Sequence, residues 1–202
     1  MTSRAALREE QKTATRHRVL DAAVRVFTET PFVSASVGDV ATAAGVTRVT
    51  VYAHFPDGKA DLVRGLIARV YPTADRLYAD LAAADWTRQT IRDWLTAAAA
   101  AWREMAPTIR VVTTTGAIAR APGERGQYLD AHQRYVAQLS DGPRWDGVPA
   151  SDARQRVLMA VLQIESVLTV WAVGAWPDAA EPLDLLTDTV CHLLAPALDH
   201  RH

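Results

Sequence analysis

Two short helical patterns joined by a glycine constrain the fold of this chain more than any other feature. Apolar residues recur at helical spacing over residues 36–44, and Ser36 can cap that helix. Gly45 then tolerates the positive φ of a tight turn, and a second helical pattern covers residues 48–55. The sequence therefore predicts a helix-turn-helix motif.

The second helix of this motif is predicted to bury Val51 and Phe55 and to expose a polar face. That face carries Arg48, Thr50, Ala53 and His54. Small and polar side chains would allow the helix to lie close to a duplex, in the major groove of DNA. Arg48 and Thr50 are the predicted contacts with base edges, because arginine can donate two hydrogen bonds to guanine, and Val49 is the predicted apolar contact.

Short segments before, within and after the motif form a recognisable set. They are Leu20-Asp21-Ala22-Ala23 with Phe27, Val40-Ala41, Ala44-Gly45-Val46-Thr47, and Val51-Tyr52-Ala53-His54-Phe55 with Lys59 and Leu62. Together they resemble the N-terminal domain of the tetracycline-repressor (TetR) family over residues 13–69. The resemblance implies a transcriptional regulator, a repressor released by a small ligand, which binds a palindromic double-stranded DNA operator as a homodimer.

The resemblance also implies phosphate contacts from residues around the reading helix. These residues are Ser36, Thr47, Tyr52, His54 and Lys59. Tyr52 and His54 could instead form a packed aromatic pair beneath the motif. Arg16 and Arg18, near the start of the first helix, could approach phosphates or remain solvated.

Two residues depart from the family pattern in this region. Pro31 stands where relatives place glycine, and proline cannot adopt the left-handed conformation that ends many helices. We therefore predict that the first helix ends by another geometry. Gly58 is an insertion before Lys59, and a long helix is predicted to start at Asp57 or Gly58.

The composition of the chain favours an all-α protein with a mildly basic head and an acidic body. Of its 202 residues, 49% are hydrophobic and 22% are charged. Residues 1–64 carry nine Lys or Arg against seven Asp or Glu, and the remainder carries thirteen against sixteen. We expect a three-helix helix-turn-helix DNA-binding domain over residues 1–58. A helical effector-binding and dimerisation domain is expected over residues 59–202.

The N-terminus and the cysteine content indicate a cytoplasmic protein. Charged residues interrupt the first twenty positions, so no signal peptide is predicted. The single cysteine, Cys191, excludes an internal disulfide and suits a reducing compartment.

From Thr87 onward the apolar pattern predicts a series of helices. The expected elements are a helix ended by Pro107, then helices over residues 109–119 and 128–139, a helix capped by Ser151 or Asp152 that contains the apolar span 157–176, and a last helix over residues 183–197. The span 157–176 is apolar on nearly every face, which suits either a membrane span or burial from two sides. Glu165 at its centre favours burial, so the last two helices are the predicted homodimer interface.

The resemblance places an effector site among these body helices. Its candidate residues are Trp94, Trp102, Thr114, Tyr128, His132, Tyr135, Gln163 and Glu165. Their aromatic and apolar character favours a hydrophobic or aromatic small molecule. A buried Glu165 would favour a cation or a hydrogen-bond donor.

An enzyme and a binding module without DNA recognition are the alternatives that the sequence leaves open. His132 with Glu165 or Asp130 could act as an acid/base pair. The chain has no phosphate-binding glycine loop, nucleophile elbow or metal-ligand spacing, so no enzyme activity, cofactor or metal is predicted. Pro31 and Gly58 are the only support for a dimeric ligand-binding module that has lost DNA binding.

Overall fold

The computed structural model describes the backbone of residues 4–114, 122–178 and 180–198, and their side chains except at 114 and 122–129. Within these ranges the regular elements are helical, which confirms the predicted all-α fold. They are α1 (Arg4–Glu29), α2 (Val37–Ala44), α3 (Arg48–His54), α4 (Lys59–Ala83), α5 (Arg88–Glu104), α6 (Ala106–Thr114), α7 (Pro122–Leu139), α8 (Ala150–Ala172) and α9 (Leu183–Leu193), with 3-10 turns at Pro143–Trp145 and Ala195–Ala197.

The chain divides into two compact units. The first comprises Met1–Arg69 with Arg110–Arg120, and the second comprises Val70–Ile109 with Ala121–His202. The division falls inside α4, so the first turns of that helix belong to the first unit. The domain boundary expected between residues 58 and 59 stays a prediction.

The core of the first unit joins α1 to the helix-turn-helix motif. Val19, Leu20 and Phe27 on α1 are buried, as are Val40 on α2 and Val51 on α3. α1 packs directly on α2, and α2 packs on α3. Removing these side chains from water stabilises the motif by about 1.5–3 kcal/mol for each large apolar residue.

Pro31 shapes the connection between α1 and α2. α1 ends at Glu29, and the amides of Ser34 and Ala35 donate to the carbonyl oxygen of Pro31 at 2.9 and 3.0 Å. The proline thus stands at the start of a turn, where its missing N–H is not needed. The prediction that α1 ends without a left-handed residue is confirmed.

The inserted Gly58 forms the turn between α3 and α4. Its φ is +61°, its amide donates to the carbonyl oxygen of Phe55 at 2.9 Å, and its own carbonyl accepts from Leu62 at 3.0 Å. This left-handed conformation reverses the chain within one residue. α4 can therefore begin at Lys59.

Helix boundaries in the later part of the chain differ from the predicted ones. α5 and α6 are separated only by Met105, so that Pro107 lies in the first turn of α6 and does not end a helix. Proline is tolerated there because the first amides of a helix have no internal partner. α7 begins at Pro122, earlier than predicted, whereas α8 begins at Ala150, next to the predicted caps Ser151 and Asp152. The end of the helix predicted over residues 109–119 lies outside the described residues.

The second unit packs α5, α7, α8 and α9 around one apolar core. α8 contacts α5, α7 and α9, and α9 also contacts α5. Leu95 on α5 and Ile164 and Leu168 on α8 are among its buried residues. The predicted burial of the apolar α8 from more than one side is thus confirmed. Among the described helices, none combines the length and the apolar character that a membrane crossing requires.

Candidate functional site

α3 is a short helix held in place by its N-cap and by two buried side chains. The amide of Thr50 donates to Thr47 Oγ1 at 3.1 Å, which satisfies a free amide of the first turn. Val51 and Phe55 are fully buried. Because its seven residues are too few for a stable isolated helix, the cap and these two residues determine which face of α3 points outward.

The outward face of α3 carries most of the residues predicted to contact bases and phosphates. They are Arg48, Val49 and Tyr52, with Thr50 and His54 half-buried at its edge. Val49 is 79% exposed and Tyr52 is 48% exposed. The Tyr52 ring lies beside Gly58, whereas the His54 ring lies beside Phe55. The two rings therefore pack on different neighbours, and Tyr52 is not beneath the motif.

The Arg48 guanidinium folds back over the start of α2. It lies against Gly38, where even a Cβ atom would collide with it. Hydrogen bonds from the side chain and backbone of Ser36 lower the pKa of the neighbouring Asp39 carboxyl, and the Arg48 charge lowers it further. Arg48 is exposed, so it can extend toward a ligand without breaking a buried contact.

His54 ends α3, and a side chain of α1 contacts it. Arg16 Nη1 donates to the His54 carbonyl oxygen at 3.0 Å, and the guanidinium lies 4.4 Å from the centre of the Phe55 ring. Burial lowers the pKa of the His54 imidazole, and the charges of Arg16 and Lys12 lower it further. At neutral pH the ring is therefore mainly uncharged and would meet an anion as a hydrogen-bond donor.

Lys59 is held inside the first unit. Its Nζ donates to the carbonyl oxygens of Phe32 and Ala35 at 2.7 and 2.8 Å, and lies 4.7 Å from the centre of the Phe32 ring. Two of the three donors of the ammonium thus fix the connection between α1 and α2, a role that was not predicted from the sequence. The phosphate contact predicted for Lys59 is not tested by these bonds, which compete with it for the ammonium. The hydroxyls of Ser36 and Thr47 likewise cap α2 and α3.

A second cluster of predicted residues lies in the second unit, around Glu165. His132 Nε2 lies 2.8 Å from Glu165 Oε2, and the Tyr78 hydroxyl donates to Oε1 at 3.3 Å. The Tyr135 ring stacks on Tyr78 with ring centres 4.3 Å apart, and the Trp94 ring centre lies 5.5 Å from that of Tyr78. The cluster therefore combines a carboxylate, an imidazole and several aromatic rings.

Tyr78 is the member of this cluster that was not predicted from the sequence. Its spacing with Leu81 on α4 marks it as a core residue, and it is fully buried. Its hydrogen-bond partner Glu165 lies 87 residues further along the chain. Such a pairing depends on tertiary packing, so no local pattern in the sequence could have indicated it.

The Tyr135 hydroxyl is buried and lies near the Asp75 carboxylate, without a hydrogen bond of ordinary length to any described residue. Burial raises the pKa of this phenol, and the nearby carboxylate of Asp75 raises it further. The hydroxyl therefore stays protonated. A protonated phenol can donate to a bound molecule, so this group is a candidate for such a contact.

The other predicted effector-site residues are distributed differently. Trp102 is buried within the second unit, whereas Gln163 is exposed. The side chains of Thr114 and Tyr128 lie outside the described residues. An open groove of about 670 Å³ runs between α7 and α8, and His132 is the predicted residue in its wall.

The α2–α3 motif and the helical second unit place this chain in the class of helix-turn-helix proteins. Residues 19–66 match the model of a family described as bacterial regulatory proteins, tetR family. Over these residues the chain is similar to the N-terminal domain of that family.

Two known regulators are similar to the N-terminal part of this chain. The HTH-type transcriptional regulator AcrR of Shigella flexneri is 44% identical over 54 residues, which are 27% of this chain and 25% of that protein. The HTH-type transcriptional repressor LfrR of Mycolicibacterium smegmatis is 44% identical over 57 residues, 28% of this chain and 29% of that protein. The chain thus matches between a quarter and a third of the length of these relatives.

A solved structure extends the likeness to the fold of most of the chain. PfmR, a TetR family transcriptional regulator from Thermus thermophilus, superposes with a TM-score of 0.63. The superposition covers 88% of this chain and 97% of that one at 18% identity. This chain and PfmR therefore share the fold of the helical body as well as that of the N-terminal domain.

Proposed function

We propose that this protein is a DNA-binding transcriptional regulator, a repressor that binds a palindromic operator as a homodimer and is released by a small molecule. The observation that carries the proposal is the outward face of α3, which presents Arg48, Val49 and Tyr52 on a capped helix. Such a face fits the major groove, where Arg48 can pair with guanine and Val49 can meet a thymine methyl. A regulator of this kind works beside the chromosome, and we place it in the cytoplasm.

We assign the remaining predicted residues of the motif to the DNA around those bases. Thr50 joins Arg48 in reading base edges. Ser36, Thr47 and Tyr52 offer hydroxyl donors to phosphates, and His54 offers an uncharged imidazole. Contacts with phosphates position the helix on the DNA but do not distinguish one base sequence from another.

We propose that α8 and α9 form the homodimer interface. Large apolar side chains are exposed on both helices: Leu158, Met159 and Leu162 on α8, and Leu185 on α9. Grouped exposed apolar residues mark interaction sites in soluble proteins, and a second copy of the pair would build a four-helix bundle. The dimer would hold two copies of α3 over half-sites about 34–36 Å apart.

We propose that the effector binds at the Glu165 cluster. The buried Tyr135 hydroxyl offers a hydrogen-bond donor beside Asp75, and the rings of Tyr78 and Trp94 offer apolar contact. The carboxylate would favour a ligand with a cationic or hydrogen-bond-donating group that exchanges with His132. A ligand that prefers the conformation unable to fit the operator would release the protein from DNA. The Glu165–His132 pair is assigned to this role and not to catalysis.

Fluorescence anisotropy tests the proposed DNA binding directly. Purified protein is titrated onto DNA from immediately upstream of its own gene and onto a scrambled duplex of equal length, over a salt series. We expect tight binding to the native fragment and a steep loss of affinity as salt rises, because bound counterions are released. Weak and equal binding to both duplexes, together with no enrichment in a genome-wide selection of bound fragments, would contradict the proposal.

Arg48→Ala tests the assignment of α3 as the reading helix. We expect it to weaken binding to the native fragment by about 1–3 kcal/mol and to affect the scrambled duplex less. Arg154→Ala, which removes an exposed arginine from the second unit, is the matched control. Unchanged affinity in the Arg48 variant would remove this residue from base recognition.

A further inference from the structure

The beginning of α1 carries basic side chains at every fourth position. Arg4, Arg8 and Lys12 follow one another at this spacing, and Arg16 continues it. Residues four apart share one face of a helix, so the first three form a continuous basic stripe. Every side chain from residue 4 to residue 14 is exposed. This part of α1 is therefore an exposed helical segment about 16 Å long, at 1.5 Å per residue.

The basic stripe lies on the face of α1 that turns toward the helix-turn-helix motif. Continuing the same three- and four-residue steps along α1 leads through Val19 and Ala23 to Phe27, which are buried in the first unit. Arg16 stands where the exposed and buried parts of this face meet. Its guanidinium donates to the carbonyl oxygen of His54 and covers the Phe55 ring, so the stripe begins beside the end of α3.

We propose that Arg4, Arg8 and Lys12 form a second DNA-contacting surface, which binds phosphates beside the base pairs that α3 reads. This inference rests on the proposed function, because it needs α3 to lie in a major groove. The stripe then continues the interface beyond α3 by about 16 Å, which corresponds to roughly five base pairs at 3.4 Å each. A row of cations at helical spacing is complementary to the regular row of phosphate charges along a strand.

The two acidic residues on the same segment, Glu9 and Glu10, do not prevent the basic stripe from binding phosphates. Glu9 lies 3.8 Å from the Lys12 ammonium, but both side chains are more than three-fifths exposed, at 72% and 65%. Exposed pairs of this kind are weak and yield readily to a phosphate. Glu10 lies on roughly the opposite side of the helix, since it stands two residues from both Arg8 and Lys12. The approach of Lys12 toward α3 is also visible at His54, whose pKa its charge helps to lower.

The test replaces the three residues together with glutamine, as R4Q/R8Q/K12Q, and repeats the anisotropy salt series on the native and scrambled duplexes. The three positions are exposed, so the variant is expected to keep the wild-type circular dichroism spectrum. We expect roughly tenfold weaker binding or more at 0.1 M salt on both duplexes, and a salt slope reduced by about 0.9 for each phosphate that is no longer bound. R76Q/R88Q/R154Q removes the same charge from exposed positions of the second unit and should leave the slope unchanged.

The outcomes separate this inference from the proposed function. Wild-type protein that binds neither duplex would contradict the proposed function itself. Wild-type protein that binds with a steep salt slope, together with a triple variant whose slope and affinity are unchanged, would overturn the basic stripe alone. An equal loss in the second-unit variant would also overturn it, because net charge and not position would then be responsible.

Discussion

Gly58 combines a left-handed backbone with close neighbours, and a residue with a side chain would be destabilising at this position. Its φ of +61° lies in the left-handed region, and a Cβ atom there would come within 3.3 Å of Val37 Cγ2 and 3.4 Å of the Tyr52 ring. Gly45 has nearly the same φ, +65°, but open space around it. A side chain at Gly45 would therefore cause backbone strain alone, whereas one at Gly58 would cause backbone strain and steric crowding.

Alanine substitutions at these two positions should differ in cost. We expect Gly45→Ala to lower the free energy of unfolding by about 1 kcal/mol through backbone strain. Gly58→Ala should cost about 2 kcal/mol or more, because Val37 and Tyr52 must also move. Urea denaturation of both variants against the wild type measures the difference. A Gly58 variant no less stable than the Gly45 variant would contradict the tight packing.

The Lys59 ammonium provides a second prediction at the residue scale. Lys59→Met keeps the aliphatic stem but removes the hydrogen bonds to Phe32 and Ala35. We expect it to lower the free energy of unfolding by about 2 kcal/mol, since hydrogen bonds from charged groups carry values of this size. We also expect the salt slope of DNA binding to stay at its wild-type value. Unchanged stability with a slope reduced by about 0.9 would instead identify Lys59 as a phosphate contact.

At the scale of single helices, α2 depends on a reciprocal cap. The Ser36 amide and hydroxyl each donate to Asp39 Oδ2 at 2.8 Å, and the Asp39 amide donates to Ser36 Oγ at 3.2 Å. These bonds favour the ionised carboxylate, which is why the pKa of Asp39 is lowered in the folded protein. The cap therefore stabilises α2 above the unfolded-state pKa of aspartate, and its contribution is lost as pH falls through the lowered folded-state pKa.

This linkage predicts how the variant Asp39→Asn behaves with pH. We expect it to be less stable than the wild type at pH 7 and at pH 5, and the difference to shrink below about pH 4, near the unfolded pKa of aspartate. Urea denaturation at several pH values measures it. In a Ser36→Ala background the same substitution should change stability less, because only the bond from the amide of residue 36 to the Asp39 carboxylate remains. A difference that grew as pH fell would contradict the sign of the shift.

Local signals were sufficient to predict α2 and α3 but not the later boundaries. Ser36, Gly45 and Thr47 act on neighbours within four residues, and the structure gives each of them the predicted cap or turn. Pro107 was predicted to end a helix, yet it stands in a first turn. A proline marks a boundary without showing on which side the helix lies.

At the scale of the whole molecule, the sequence predicts candidate residues for the effector site but not which of their side chains are in contact. Residue type and family resemblance selected Glu165, His132 and Tyr135. Their contacts depend on how α7 and α8 pack with α4, and the same packing brings in Tyr78, which no spacing rule selected. The same limit applies to Lys59, because its partners belong to a connection more than twenty residues earlier.

The homodimer is the prediction that belongs to the whole molecule. Leu162 on α8 is 43% exposed, and in the proposed four-helix bundle it lies between the subunits. We expect the wild type to sediment as a dimer, at twice the 22.0 kDa mass of the chain. Leu162→Glu should raise the dimer dissociation constant by about tenfold or more, because a charge would lose its hydration in an apolar interface.

Sedimentation velocity over a range of concentrations measures this constant, with Val33→Glu as the matched control. Val33 is an exposed aliphatic residue of the first unit, so the same charge there should leave the oligomeric state unchanged. Operator affinity should fall with the dimer, since two copies of α3 must be joined to bind two half-sites at once. A Leu162 variant that stays dimeric and binds DNA as the wild type does would move the interface away from this face of α8.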